Sequence, residues 1–140
     1  MKKYKIGYTT GVFDMFHIGH LNILKRAKEQ CEYLIVGVST DELVKEYKNK
    51  QPIICFSDRY EIVSSIKYVD KVVAQENMDK LRAAQQNNAD AIFVGSDWKG
   101  TPAWNEYERK LAEIGCEVVY LNHTDGISST ILRKKLNKNE

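Results

Sequence analysis

The stretch YKIGYTTGVFDMFHIGH, residues 4–20, runs from a modestly apolar β-type segment into two histidines set three residues apart, His17 and His20. Residues 4–8 read as a first strand, and the segment from Gly19 to Gln30 has Leu21, Leu24 and Ala27 at helical spacing. The histidines therefore stand where a strand has ended and a helix begins. At i and i+3 they share one face of that helix start.

The same alternation continues along the chain. Residues 33–38 form a continuous apolar run, as expected for a strand covered on both faces, and 71–74, 91–95 and 117–121 repeat it. Helical patterns fall at 57 onward, with Ser57 or Asp58 as the cap, and at 79–87, 104–114 and 128–136. Strand-helix alternation at this spacing predicts an α/β fold: a doubly wound sheet of about five parallel strands with helices on both faces. No repeat or linker divides the chain, so residues 1–140 are expected to form a single domain, with 137–140 as a frayed tail.

Composition narrows the classes. With 43% apolar and 29% charged residues, the chain has the balance of a water-soluble globular protein. A net charge of +2, from 21 basic and 19 acidic residues, is too near balance to argue for a nucleic-acid footprint, and no nucleic-acid partner is expected. Cys31, Cys55 and Cys116 are odd in number, widely spaced and without a CxxC pair, which predicts reduced, mostly buried thiols. No signal-type apolar segment follows Met1, and no run reaches the ~20 residues of a membrane span. A cytoplasmic protein without membrane insertion is the expectation.

In a doubly wound sheet, ligands bind beyond the carboxyl ends of the strands, which is where His17 and His20 lie. A zinc site needs a third protein ligand, and Asp14 is the sole candidate nearby. A general base is awkward at a helix amino terminus, which favours anions. A phosphate site fits better, because free backbone N–H groups, a positive dipole end and two imidazole donors converge there. A purely structural pair, capping or packing, is the plain alternative. Ser128, Ser129 and Thr130 before a second helix offer another cap or anion cradle. Lys48 and Lys50, in residues 45–50, read on their own as a solvated loop. Asp97, in Ser96-Asp97-Trp98 after the fourth strand, reads as a turn or cap carboxylate. Trp104 reads as packing.

Gly11-Val12-Phe13-Asp14-Met15-Phe16-His17-Ile18-Gly19-His20 resembles the GxFDxxHxGH signature of the HxGH nucleotidyltransferases. Thr124-Asp125-Gly126-Ile127-Ser128-Ser129-Thr130 resembles the second signature of that superfamily, and Lys67-Tyr68-Val69-Asp70-Lys71-Val72 the RYVDEV segment of its cytidylyltransferase branch. The nearest resemblance is to the bacterial glycerol-3-phosphate cytidylyltransferases. It implies a Rossmann-like fold, a homodimer and CMP transfer from CTP with Mg²⁺ to glycerol 3-phosphate, giving CDP-glycerol and pyrophosphate for teichoic-acid or capsular polymers.

The resemblance also assigns roles. His17, His20 and Lys50 become catalytic, with Lys48 paired to Lys50 on the phosphates. Val12, Phe13 and Gly19 flank the nucleotide beside the histidines, and Asp97 reads the base. His123, Thr124, Gly126, Ile127, Ser128, Ser129 and Thr130 would hold the β- and γ-phosphates. Asp14, Lys67 and Asp70 fall at the acceptor side or the dimer edge. No firm protein ligand for the metal is implied; Mg²⁺ would ride mainly on the triphosphate, with Asp14 able to orient it. Departures from the pattern are His123 for Arg, Asp125 for Glu, Ser129 for Thr, Lys67 for Arg and Val12 for Thr. The GVFD and Asp-Gly forms are similar to heptose-phosphate adenylyltransferases, so other acceptors (sugar, ribitol, choline or ethanolamine phosphate), ATP, or a binding module without turnover are the alternatives.

Overall fold

Apolar runs become strands and the segments between them helices in a computed structural model that describes residues 2–122. The elements are β1 (Tyr4–Gly11), α1 (Ile18–Gln30), β2 (Cys31–Ser39), α2 (Asp41–Lys48) and α3 (Phe56–Ser64). β3 (Lys71–Gln75), α4 (Lys80–Asn87), β4 (Ala91–Gly95), a 3₁₀ turn (Ser96–Trp98), α5 (Pro102–Glu113) and β5 (Glu117–Leu121) follow. The helix expected at 128–136 lies outside the described residues. Among those described, no helix is long and apolar enough to cross a membrane.

All five strands are parallel, in the order β3-β2-β1-β4-β5. The chain winds outward from β1 through β2 to β3, then returns past β1 to build β4 and β5. Strand order thus reverses between β1 and β4, the switch point beyond whose carboxyl ends open α/β sheets bind ligands. Leu24 and Ala27 of α1 and Val63 of α3 pack on one face against Leu34, Val36, Val38 and Phe93. Ala84 of α4 and Leu111 of α5 pack on the other against Tyr8, Ile35 and Ile92. Each fully buried large apolar side chain among these contributes about 1.5–3 kcal/mol. The doubly wound sheet expected from the alternation is the fold observed. Trp104 is packing, buried with its ring edge-on to Tyr107 at 5.1 Å.

Two local expectations are corrected. Residues 45–48 are not loop but the end of α2, whose start is fixed by the Thr40 hydroxyl accepting from the Leu43 N–H at 3.2 Å. Leu43 and Val44 bury its inner face. The cap of α3 is neither Ser57 nor Asp58 but Cys55, whose side chain makes no capping bond. The first-turn N–H of Phe56 instead donates to Asp41 of α2 at 3.1 Å, so one helix caps the next. Cys31 and Cys116 are buried as expected, while Cys55 is exposed.

Gly37 is needed because the Tyr8 side chain crosses β2 there: a Cβ at 37 would collide with the Tyr8 hydroxyl and stand 3.1 Å from its Cζ. Gly37→Ala should destabilise the protein by about 1–3 kcal/mol through overpacking. The penalty should shrink in a Tyr8→Phe background, where the clashing oxygen is gone. A double-mutant cycle from urea melts checks the coupling.

Candidate active site

His17 is the N-cap of α1 and His20 its third residue, and together they form a reciprocal cap. The Nδ1 of His17 accepts from the Gly19 N–H at 3.0 Å, and the Nδ1 of His20 accepts from the His17 N–H at 3.3 Å. Two imidazoles do here what Ser and Glu do in an ordinary capping box. The consequence is chemical. A nitrogen that accepts carries no proton, so each neutral ring holds its proton on Nε2 and both Nε2 atoms are donors. His17 Nε2 is buried, and among the described residues nothing accepts from it. A buried donor left unpaired costs about 1–3 kcal/mol, and an anion at the helix start would relieve it.

The rings are also held neutral. His20 lies against Phe13 at 5.4 Å and Phe16 at 5.3 Å, and stacks on His17 at 3.8 Å. Burial first, then the neighbouring His17, push the His20 pKa down to about 4 against the opposing pull of Asp14. Burial lowers that of His17 as well. Near neutral pH the pair therefore offers dipoles, not charge, beside the positive end of α1.

The loop between β1 and α1 is strained and anchored. Phe13 and Met15 take positive φ, 55° and 49°, in the left-handed region that non-glycine residues seldom occupy. Asp14, a candidate for substrate or cation contact on the sequence, is 2% exposed, and its oxygens accept from the N–H groups of Ile53 and Ile54, each at 2.8 Å. These two bonds fasten the 53–54 turn. Among the described residues no group of three His, Cys, Asp or Glu is placed to hold a metal ion.

Arg59 completes the scaffold and escaped the sequence reading. Its side chain is fully buried: Nε donates to the Ile54 carbonyl at 2.8 Å, Nη1 to those of Val12 and Ser39 at 2.7 Å each, and Nη2 to Asp41 at 2.6 Å. The turn it anchors follows the segment carrying the lysines. Lys48 ends α2, Asn49 turns the chain at φ 54°, and Lys50 lies three residues before the pinned Ile53. Both lysines are exposed.

Asp97 is exposed in the 3₁₀ turn after β4, on the same sheet edge as His17. Lys67 and Asp70 are not brought there. Asp70 precedes β3 and accepts from the Leu34 N–H at 2.7 Å and Lys28 Nζ at 2.5 Å, which places it at the opposite edge. His123, Thr124, Gly126, Ile127, Ser128, Ser129 and Thr130 lie outside the described residues.

The Cytidylyltransferase-like family model matches residues 8–135. This chain belongs to that family. Among cytidylyltransferase-like relatives it is similar to the glycerol-3-phosphate cytidylyltransferase of Bacillus spizizenii, 39% identical over 91% of this chain and 94% of that protein. It is also similar to the FAD synthase of Thermococcus sibiricus, 38% identical over 84% and 81%. The solved structure of a lipopolysaccharide core biosynthesis protein from Thermoplasma volcanium superposes with a TM-score of 0.71 at 28% identity, covering 86% of this chain and 97% of that one.

Two outcomes test this site. In an NMR titration, His20 should protonate near pH 4 rather than at the usual 6.5 or so, and Phe13→Ala should raise that midpoint by admitting water. Because the folded state disfavours the proton, His20 adds stability above about pH 6.5 that is lost as pH falls toward about 4. Arg59→Met strands three carbonyls and Asp41, and should cost about 3 kcal/mol or more in a denaturant melt.

Proposed function

We propose that this chain is a single-domain cytidylyltransferase that transfers CMP from CTP to the phosphate of a small phosphorylated alcohol, glycerol 3-phosphate foremost, releasing pyrophosphate. The observation that carries the reading is the pair of fixed, neutral Nε2–H donors at the start of α1, one of them buried and without a partner among the described residues. A substrate phosphate is already dianionic near neutral pH, so attack on the α-phosphorus needs no general base. It needs alignment and stabilisation of charge that builds on the α-phosphate and the leaving oxygen.

His17 and His20 donate to those oxygens, with Gly19 giving the backbone close approach and Val12 and Phe13 holding the loop beside them. Lys50, with Lys48, brings mobile positive charge to the phosphates. Residues 123–130, with His123, Thr124, Gly126, Ile127, Ser128, Ser129 and Thr130, take the β- and γ-phosphates. Asp97 accepts from the exocyclic amine of cytosine. Mg²⁺ enters as part of the substrate, on triphosphate oxygens, and supplies charge neutralisation. Lys67 and Asp70, at the far edge in one chain, act at the contact of a cytoplasmic homodimer. The product CDP-glycerol serves a cell-wall or capsular polymer.

Adenylyl transfer is the second reading. Similarity to an FAD synthase over 84% of the chain favours it, since FAD contains an adenylyl group joined to a flavin phosphate. Pyrophosphate release with CTP or ATP, each against glycerol 3-phosphate and flavin mononucleotide, separates the two. Release with CTP and glycerol 3-phosphate is expected; release confined to ATP would overturn the nucleotide assignment. His17→Asn retains a capping acceptor at the helix start but loses the Nε2 donor. It should lower kcat by about a hundredfold or more with the melting temperature little changed.

A further inference from the structure

Lys80 is the one lysine among the described residues that the fold buries, at 6% exposure. It occupies the first turn of α4, five residues after Gln75 closes β3, and so lies near the sheet edge that carries His17. Apart from His17 Nε2, the other buried polar side chains at this edge are partnered. Gln75 Oε1 accepts from Ser39 Oγ at 2.8 Å and from Thr10 Oγ1, Thr9 donates to the Phe93 carbonyl, and Asp14 and Arg59 are each multiply bonded. Lys80 has no hydrogen-bonding or ionic partner among the described residues. Its neighbour Asp79 is occupied with the Arg82 N–H at 3.0 Å.

An ammonium that the fold covers in large part, without a counter-charge, is unfavourable in the free protein. Here burial alone lowers its pKa, to about 8, with no carboxylate among the described residues to offset it. Strand order says which substrate would relieve it. β4 and Asp97 lie on one side of β1, and β2, β3 and the start of α4 lie on the other. With the base over β4 and the α-phosphate at the start of α1, an in-line attack comes from the β2–β3 side.

We infer that Lys80 is a further substrate-binding residue, which receives the phosphate of the acceptor on the β2–β3 side of the histidine pair. This rests on the transferase reading above, and it names a residue that no motif marks. The null alternative is a lysine that merely completes the packing of α4. The two differ in sign on stability. A ligand-binding lysine is a burden to the free fold, so an isosteric apolar side chain relieves it. A packing lysine with a structural partner is missed when removed.

The test uses the full chain as wild type, Lys80→Met and Lys80→Arg. For Lys80→Met we expect an unchanged or raised melting temperature, a KM for CTP within about twofold of wild type, and a KM for glycerol 3-phosphate raised about tenfold or more. Lys80→Arg should recover part of the acceptor affinity. An acceptor KM within twofold of wild type in Lys80→Met would overturn the inference. So would an equal rise in the KM for CTP, or a Lys80→Met chain that fails to fold while Lys80→Arg folds. If wild type released no pyrophosphate from CTP, the transferase reading would fall on its own. Calorimetric titration of glycerol 3-phosphate would then still decide the lysine: binding lost in Lys80→Met supports its role, and equal binding removes it.

Discussion

Arg59 donates at once to the carbonyls of Val12, Ser39 and Ile54 and to the carboxylate of Asp41. These groups belong to the loop after β1, the end of β2, the turn before α3 and the start of α2. A side chain that is planar and permanently charged can meet so many acceptors in fixed directions, and a lysine in its place cannot. The arrangement stands because the charge, though buried, is fully hydrogen-bonded and partly offset by Asp41. Asp14 grips the same 53–54 turn from the other side. Between them, guanidinium and carboxylate hold Phe13 and Met15 in backbone conformations they would leave if free.

That rigidity determines the electrostatics. Two imidazoles stacked at 3.8 Å would repel if both were charged, and the aromatic walls around His20 penalise even one charge. The site thus presents oriented N–H dipoles at a helix start, which require no reorganisation when an anion arrives. Net positive charge comes instead from lysines outside the histidine cluster, on the C-terminal end of α2 and the turn after it. In the proposed reaction, fixed neutral donors and lysine charges divide the work: the first set geometry, the second neutralise.

The fold was largely legible because parallel strands buried on both faces leave continuous apolar runs, as in residues 33–38, and the helices between them keep their period. The short α2 was not, because its apolar face is only Leu43, Val44 and the half-exposed Tyr47, too brief for periodicity to register. The histidine pair was legible from its place at a strand-to-helix crossing, but its tautomers were not, since these follow from backbone N–H directions. Arg59 left no mark at all. A lone arginine in a helix reads as exposed, and its four partners come from segments up to 47 residues away. Asp14 was legible as a candidate from its place beside two histidines, but its hold on a turn 39 and 40 residues on was not.

The sheet order carries the last step. Since β1 is central, the start of α1 is flanked by β4 on one side and by β2 and β3 on the other. A reaction that brings a nucleotide and a second phosphate together needs two approaches to one phosphorus, from opposite directions. An order such as 3-2-1-4-5 provides them without any loop having to cross the site, because each half of the sheet ends in its own set of turns. The β4 side carries the exposed carboxylate of Asp97, the base contact of the proposed reaction. The β2–β3 side carries the turn of Lys50 and, on the inference above, Lys80, the two groups proposed to meet a phosphate. Specificity for the acceptor would then reside in the turns after β2 and β3, which can change in length and charge while Arg59 keeps the histidines where they are.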